Sequence, residues 1–227
     1  MHIYAFGSIC RGDLRKGSDI DLLTLVDGYD RRFDPDTFSI YSYIRIKDLW
    51  AEGNPFAWHL FLEARLIFAS DERDFLNSLG SPADYVNCIR DCEKFYSVFD
   101  AAHSSILAGR NSKVFELSTI FLSVRNIATC FSLGTTMKPD FSRHSAQHLG
   151  SNSIPLASKA YSVLERARIL STRGEGKNIT DQELDLVLNT LENVRAWMEN
   201  LVAQARTYER ISKSDGSPTA DSAVSEL

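Results

Sequence analysis

The residue types that could handle phosphate and metal gather near the start of the chain, at Gly7-Ser8 and at Asp19-Ile20-Asp21. A glycine lets the backbone pass close to a ligand with no side chain in the way. Backbone N–H groups in such a turn can cradle an anion, and the Ser8 hydroxyl adds a donor. Arg11, Arg15 and Lys16 place positive charge beside it, and Ser18 a second hydroxyl. Asp19 and Asp21 stand two apart, so on a strand both carboxylates point to one face. Two carboxylates on one face repel unless a cation sits between them. Mg²⁺ takes one or two carboxylates together with phosphate oxygens and water. The pair suits a metal ion that bridges a nucleotide's phosphates to an attacking hydroxyl.

These groups need elements to position them. Residues 2–6 are apolar and read as a buried strand leading into Gly7, and residues 19–26 as a second strand carrying Asp19 and Asp21. Residues 37–46, rich in Ile, Tyr and Phe, read as a third strand. Asn54-Pro55 opens a helix over 56–64, with proline at a favoured first position. Residues 65–69 follow as a short strand. After Gly80 the periodicity becomes helical. Helices are expected over 81–107, 112–132, 142–149, 156–170 and 180–210. The last begins at a capping box, Thr180 as N-cap and Glu183 as its partner. The composition of 212–227 predicts a disordered tail. The domains are thus 1–80, a small α/β unit with a mixed sheet; 81–211, an antiparallel helical bundle; and the tail. The fold class is α+β.

The stretch from Phe6 to Leu23 closely resembles the signature of the DNA polymerase beta-type nucleotidyltransferase superfamily: Gly-Ser, about ten residues, then Asp-x-Asp between apolar strands. Arg11-Gly12 and Gly17-Ser18-Asp19-Ile20-Asp21-Leu22 make it most similar to the minimal and kanamycin-type bacterial members. The resemblance implies a metal-dependent nucleotidyltransferase that uses Mg²⁺ held by Asp19 and Asp21. A nucleoside triphosphate would be bound by Gly7, Ser8, Arg11, Lys16 and Ser18. AMP would be the group transferred, to a hydroxyl of a small molecule or of a protein, with release of pyrophosphate. It also implies a homodimer, as in kanamycin-type relatives. The alternative is an inactive nucleotidyltransferase-fold binding module, for example a toxin–antitoxin component.

Active relatives place a third carboxylate on the strand after Asp-x-Asp, as metal ligand or base. Here residues 37–45 contain no acid. Asp36, just before that strand, is the first choice for this catalytic role. Glu63, one helical turn from His59, and Asp48 are the other nearby acids, and a two-carboxylate site is the remaining option. The family's helix before the first strand is also missing, so a flank of that strand needs other cover.

The helical half resembles the bundle of kanamycin-type enzymes and the HEPN bundles that accompany minimal nucleotidyltransferases. Arg125-Asn126 matches the start of the HEPN ribonuclease motif, but Cys130 stands where histidine is required. Arg143 and His148 match its spacing formally.

A net charge of −5 gives no basic field for a polyanion. No long nucleic acid is therefore expected as partner. Cys10, Cys88, Cys92 and Cys130 lack zinc-site spacing and read as thiols of a reducing compartment. Neither a secretory leader nor an apolar stretch long enough for a bilayer is expected, which places the protein in the cytoplasm without a membrane.

Overall fold

The computed structural model describes residues 1–13, 20–28, 30–109, 112–136 and 138–215, with side chains up to residue 209. The elements run β1 (His2–Phe6), α1 (Ser8–Arg11), β2 (Asp21–Leu25), β3 (Phe38–Tyr41), α2 (Tyr43–Ala51), α3 (Pro55–Glu63), β4 (Arg65–Ala69) and α4 (Phe75–Ser78). The helices α5 (Cys88–Leu107), α6 (Lys113–Thr135), α7 (Ser158–Arg173), α8 (Asp181–Leu188) and α9 (Leu191–Asp215) follow. The architecture is α+β, with a mixed four-stranded sheet and a helical region.

The sheet order is β3-β2-β1-β4. β1 pairs antiparallel with β2 and β4, whereas β2 and β3 run parallel. β1 is therefore an inner strand, and β3 and β4 are the edges of the sheet. Alternation along the strands puts Tyr4, Phe6, Leu23 and Leu25 on one face. There they form a core with Ile46, Leu49 and Trp50 of α2, Ala57 and Leu60 of α3, and Leu76 of α4. A β-bulge interrupts the β1–β4 ladder, because Ile3 pairs with Phe68 and Tyr4 with Leu66, leaving Ile67 without a partner on β1.

Three local expectations are corrected. The third strand ends at Tyr41, because the Ser42 side chain accepts from the Arg45 N–H at 3.1 Å and caps α2. Ile46, Leu49 and Trp50 then share the buried face of that helix. Residues 81–87 are not helical. Their neighbourhood is a strap whose carbonyls are taken by indoles: Trp50 donates to the Gly80 carbonyl at 3.0 Å and Trp58 to that of Ala83 at 3.1 Å. The expected helix over 142–149 is instead a 3₁₀ turn, Ser145–Gln147. The α3 expectation holds, with Asn54 as N-cap bonding the Phe56 N–H and Pro55 at the first turn.

By internal contacts the chain forms two compact units, Met1–Cys88 with Ala128–Leu149, and Ile89–Ile127 with the residues from Gly150 on. The first unit is therefore discontinuous. In the second, Glu93 bonds Arg206, Tyr96 bonds Glu199 and Asp100 bonds Arg195, so partners climb α5 as they descend α9. That order makes the two helices antiparallel. The Thr180–Glu183 capping box is present. The helix it opens is shorter than expected: the Thr190 hydroxyl takes the Val187 carbonyl at 2.6 Å, and a new helix starts at Leu191. That helix continues to Asp215, so residues 212–215, expected in the tail that begins at 212, are helical, and the rest of the expected tail lies outside the described residues.

Among the described residues one helix, Lys113–Thr135, is long and apolar enough by composition to cross a membrane, contrary to expectation. Of its most apolar stretch 67% is buried within the protein, as for a core helix.

Candidate active site

β1 delivers the chain to Gly7, which adopts φ 73° and ψ −144° and turns it into the single helical turn α1. This backbone conformation is close to one that only glycine populates freely. Phe6 pairs with Asp21 across the antiparallel ladder, so Asp21 starts β2 beside the turn. The Asp21 carboxylate occupies the space a side chain at residue 7 would fill: a Cβ built on Gly7 falls 2.3 Å from Asp21 Oδ2. Glycine is therefore required twice at this position, for the backbone angle and for the carboxylate. Ser8 is buried at the start of α1, whereas Asp21 is exposed. Lys16, Ser18 and Asp19 lie outside the described residues.

Arg11, the last residue of α1, pairs through Nη1 with Glu63 Oε2. Glu63 ends α3, and His59 one turn earlier bonds the same carboxylate oxygen through Nε2 at 2.9 Å. The His59 ring packs edge-on to Phe6, with centroids 5.5 Å apart, and stacks on Phe141 at 4.6 Å with planes within 12°. Glu63 is 13% exposed and Arg11 24%. Arg11 Nε is buried without a hydrogen-bond partner among the described residues. Burial pushes the Cys10 thiol upward, against the opposing pull of Arg65.

β3 carries no acid on the face of Asp21. Ser39, level with Leu23, is the strand residue nearest that position on the shared face. Asp36 is exposed in a turn closed by the Thr37 N–H on the Asp34 carbonyl at 3.0 Å, and its own N–H bonds Asp34 Oδ1. β2 and β3 are parallel, with Leu22 level with Phe38, so Asp36 stands at the same end of the sheet as Asp21. Asp48 is on α2, exposed beyond the other end of β3. Among the described residues no three His, Cys, Asp or Glu side chains group as a metal site.

Phe141 was not legible as part of this neighbourhood, since it lies far along the chain from His59. It belongs to a loop in which the Asp140 carboxylate accepts from the Ser142 N–H and pairs with His148 Nδ1, both at 2.6 Å. Burial raises the Asp140 carboxyl, but the Ser142 and His148 bonds outweigh it and hold it below the usual range. His144 and His148 thus flank a 3₁₀ turn rather than share a helix face. Arg125 and Asn126 are half-buried on α6, with Cys130 buried one turn on.

No curated protein matches the chain. A family model described as a nucleotidyltransferase domain matches residues 2–106, the stretch that contains the Gly7 turn, Asp21, α3 and β4. Residues 2–106 therefore match a nucleotidyltransferase domain of the DNA polymerase beta-type superfamily, and that match supports nucleotidyl transfer in general terms.

Proposed function

We propose that the protein moves a nucleoside monophosphate, AMP by preference, from a nucleoside triphosphate to an acceptor hydroxyl. The acceptor oxygen forms the new bond to the α-phosphorus, the bond to pyrophosphate breaks, and the hydroxyl proton passes to a base. The observation that carries this reading is the Asp21 carboxylate seated against Gly7 at the end of β1. Its oxygens are of the hard anionic type that Mg²⁺ takes, and its exposure leaves room for phosphate and water beside it. Asp21 fits the metal, and Asp19, two residues earlier in the sequence, would complete the pair. Mg²⁺ held there supplies neutralisation of phosphate charge and alignment of the triphosphate.

The chain's own groups do the rest. Gly7 admits the phosphates close to the backbone, and Ser8, Arg11, Lys16 and Ser18 donate to their oxygens. Asp36 accepts the acceptor's proton at its carboxylate. It is favoured over Glu63 because it is exposed at the Asp21 end of the sheet, whereas Glu63 is engaged by Arg11 and His59. We place the protein in the cytoplasm, since all four cysteines are thiols rather than disulfide halves.

The test is incubation with labelled ATP, CTP, GTP and UTP, Mg²⁺ and a panel of hydroxyl-bearing small molecules and proteins, reading pyrophosphate release. Release from ATP above the other three is expected. Absence of release from all four removes the catalytic reading.

A further inference from the structure

We propose that Glu63 and His59 are positioning residues that fix the Arg11 guanidinium beside the Gly7–Ser8 turn, so that it meets the triphosphate already aimed. This deepens the nucleotidyltransfer reading and rests on it. Arg11 leaves the same single helical turn that begins at Ser8, and its backbone N–H bonds the Gly7 carbonyl at 3.3 Å. Among the described residues its head is tied through Nη1 to Glu63. A guanidinium has five N–H donors. One contact to Glu63 therefore orients the group and leaves donors for phosphate oxygens. Nε is buried and has no hydrogen-bond partner among the described residues, so the donors left for phosphate are those of the two terminal nitrogens.

The tie is itself built. Glu63 is 13% exposed, and the carboxylate oxygen that takes Arg11 also takes His59 Nε2 at 2.9 Å. His59 is held on two sides, by the stack on Phe141 and the edge contact with Phe6. Phe6 is the residue that leads into Gly7 and pairs with Asp21. The chain of contacts therefore runs from Phe141 through His59 and Glu63 to Arg11, and returns to the turn at Phe6.

Charge alone predicts the opposite effect, which makes the proposal testable. Glu63 cancels the charge of Arg11, so its removal would tighten triphosphate binding if attraction were all that mattered. Positioning predicts weaker binding instead. The experiment measures Mg²⁺–ATP and adenosine affinities by calorimetry for the full chain and its variants. Glu63→Ala is expected to weaken Mg²⁺–ATP binding roughly 10–100-fold, the range seen when a group that orients a ligating residue is lost. Adenosine binding should not change. Glu63→Gln, whose amide oxygen still accepts from Arg11, should retain most of the affinity. In an Arg11→Ala background Glu63→Ala should have no further effect.

Wild-type or tighter Mg²⁺–ATP binding by Glu63→Ala overturns the clamp, as does an equal loss with Arg11 absent. If Glu63→Ala fails to fold, Arg11→Lys decides the matter: it keeps the charge but not the planar fork, and wild-type affinity there overturns the clamp. A wild-type protein that binds none of the four triphosphates overturns the underlying reading and the clamp with it.

Discussion

Replacing Gly7 by alanine separates two demands that meet at one atom. The first is conformational: φ 73° with ψ −144° is strained for any residue with a Cβ, at about 1–3 kcal/mol. The second is steric. The new Cβ would lie 2.3 Å from Asp21 Oδ2, and ordinary contact begins at 3.4 Å, so the carboxylate must retreat by about 1.1 Å. The strain alone should lower the midpoint of thermal unfolding by about 2–12 °C, at about 2–4 °C per kcal/mol for a chain of this size. The retreat of Asp21 should lower transfer roughly 10²-fold, the usual loss for a misplacement near 1 Å. Calorimetric melting and pyrophosphate release read the two effects. Asp21→Ala provides the control. It removes the clashing oxygen and leaves only the Asp21 Cβ, at an ordinary 3.5 Å. Gly7→Ala should therefore cost less stability in the Asp21→Ala background than in the wild type. Equal stability losses in both backgrounds, or wild-type transfer by Gly7→Ala, would refute the reasoning.

The double change Asp19→Asn with Asp21→Asn should abolish Mg²⁺-dependent nucleotide binding and leave circular dichroism unchanged; retained affinity sinks the metal assignment. Asp36→Ala should reduce transfer by about 10²–10⁴, as for a positioned base, with little change in melting temperature, because the side chain is exposed in a turn. Unchanged transfer there would show that the site works with two carboxylates. His103 is buried, and burial followed by the adjacent Arg195 pushes its imidazole below the ordinary histidine range. The unfolded chain then binds the proton more readily. Stability from this group is present above pH ~6.5 and is lost as pH falls below it. His103→Gln should flatten the fall in melting temperature between about pH 7 and 5, and an unchanged slope would count against the assignment. The exposed apolar edge Leu66-Ile67-Phe68 supports a homodimer, so light scattering at micromolar concentration should give twice the chain mass. A monomer mass would dismiss it.

Features legible in the sequence were those decided within a few residues. Asn54-Pro55 announces α3 because cap and helix are adjacent, and Thr180 with Glu183 announces α8 in the same way. The turn at Gly7 was readable because a glycine ends the apolar run of β1. What escaped was decided by distant partners or by a competing hydroxyl. Ser42 and Thr190 each redirected a backbone that apolar content alone had carried onward. The strap after Gly80 depends on two indoles some thirty residues back. The tie from Arg11 to Glu63 spans 52 positions, and the stack of Phe141 on His59 spans still more. No local pattern encodes such meetings. They follow from where the sheet and α3 place the side chains.

The discontinuity of the first unit sets an order of events during synthesis. Residues 128–149 belong to it, yet they are made well after Cys88. At about 5–20 residues per second, the ribosome needs about 3–12 s to pass from one to the other. Throughout that interval His59 has no Phe141 to stack on, and the nascent sheet waits with its third helix uncovered. A nascent chain stalled before residue 128 should thus remain open to protease around α3, and one released beyond residue 149 should close.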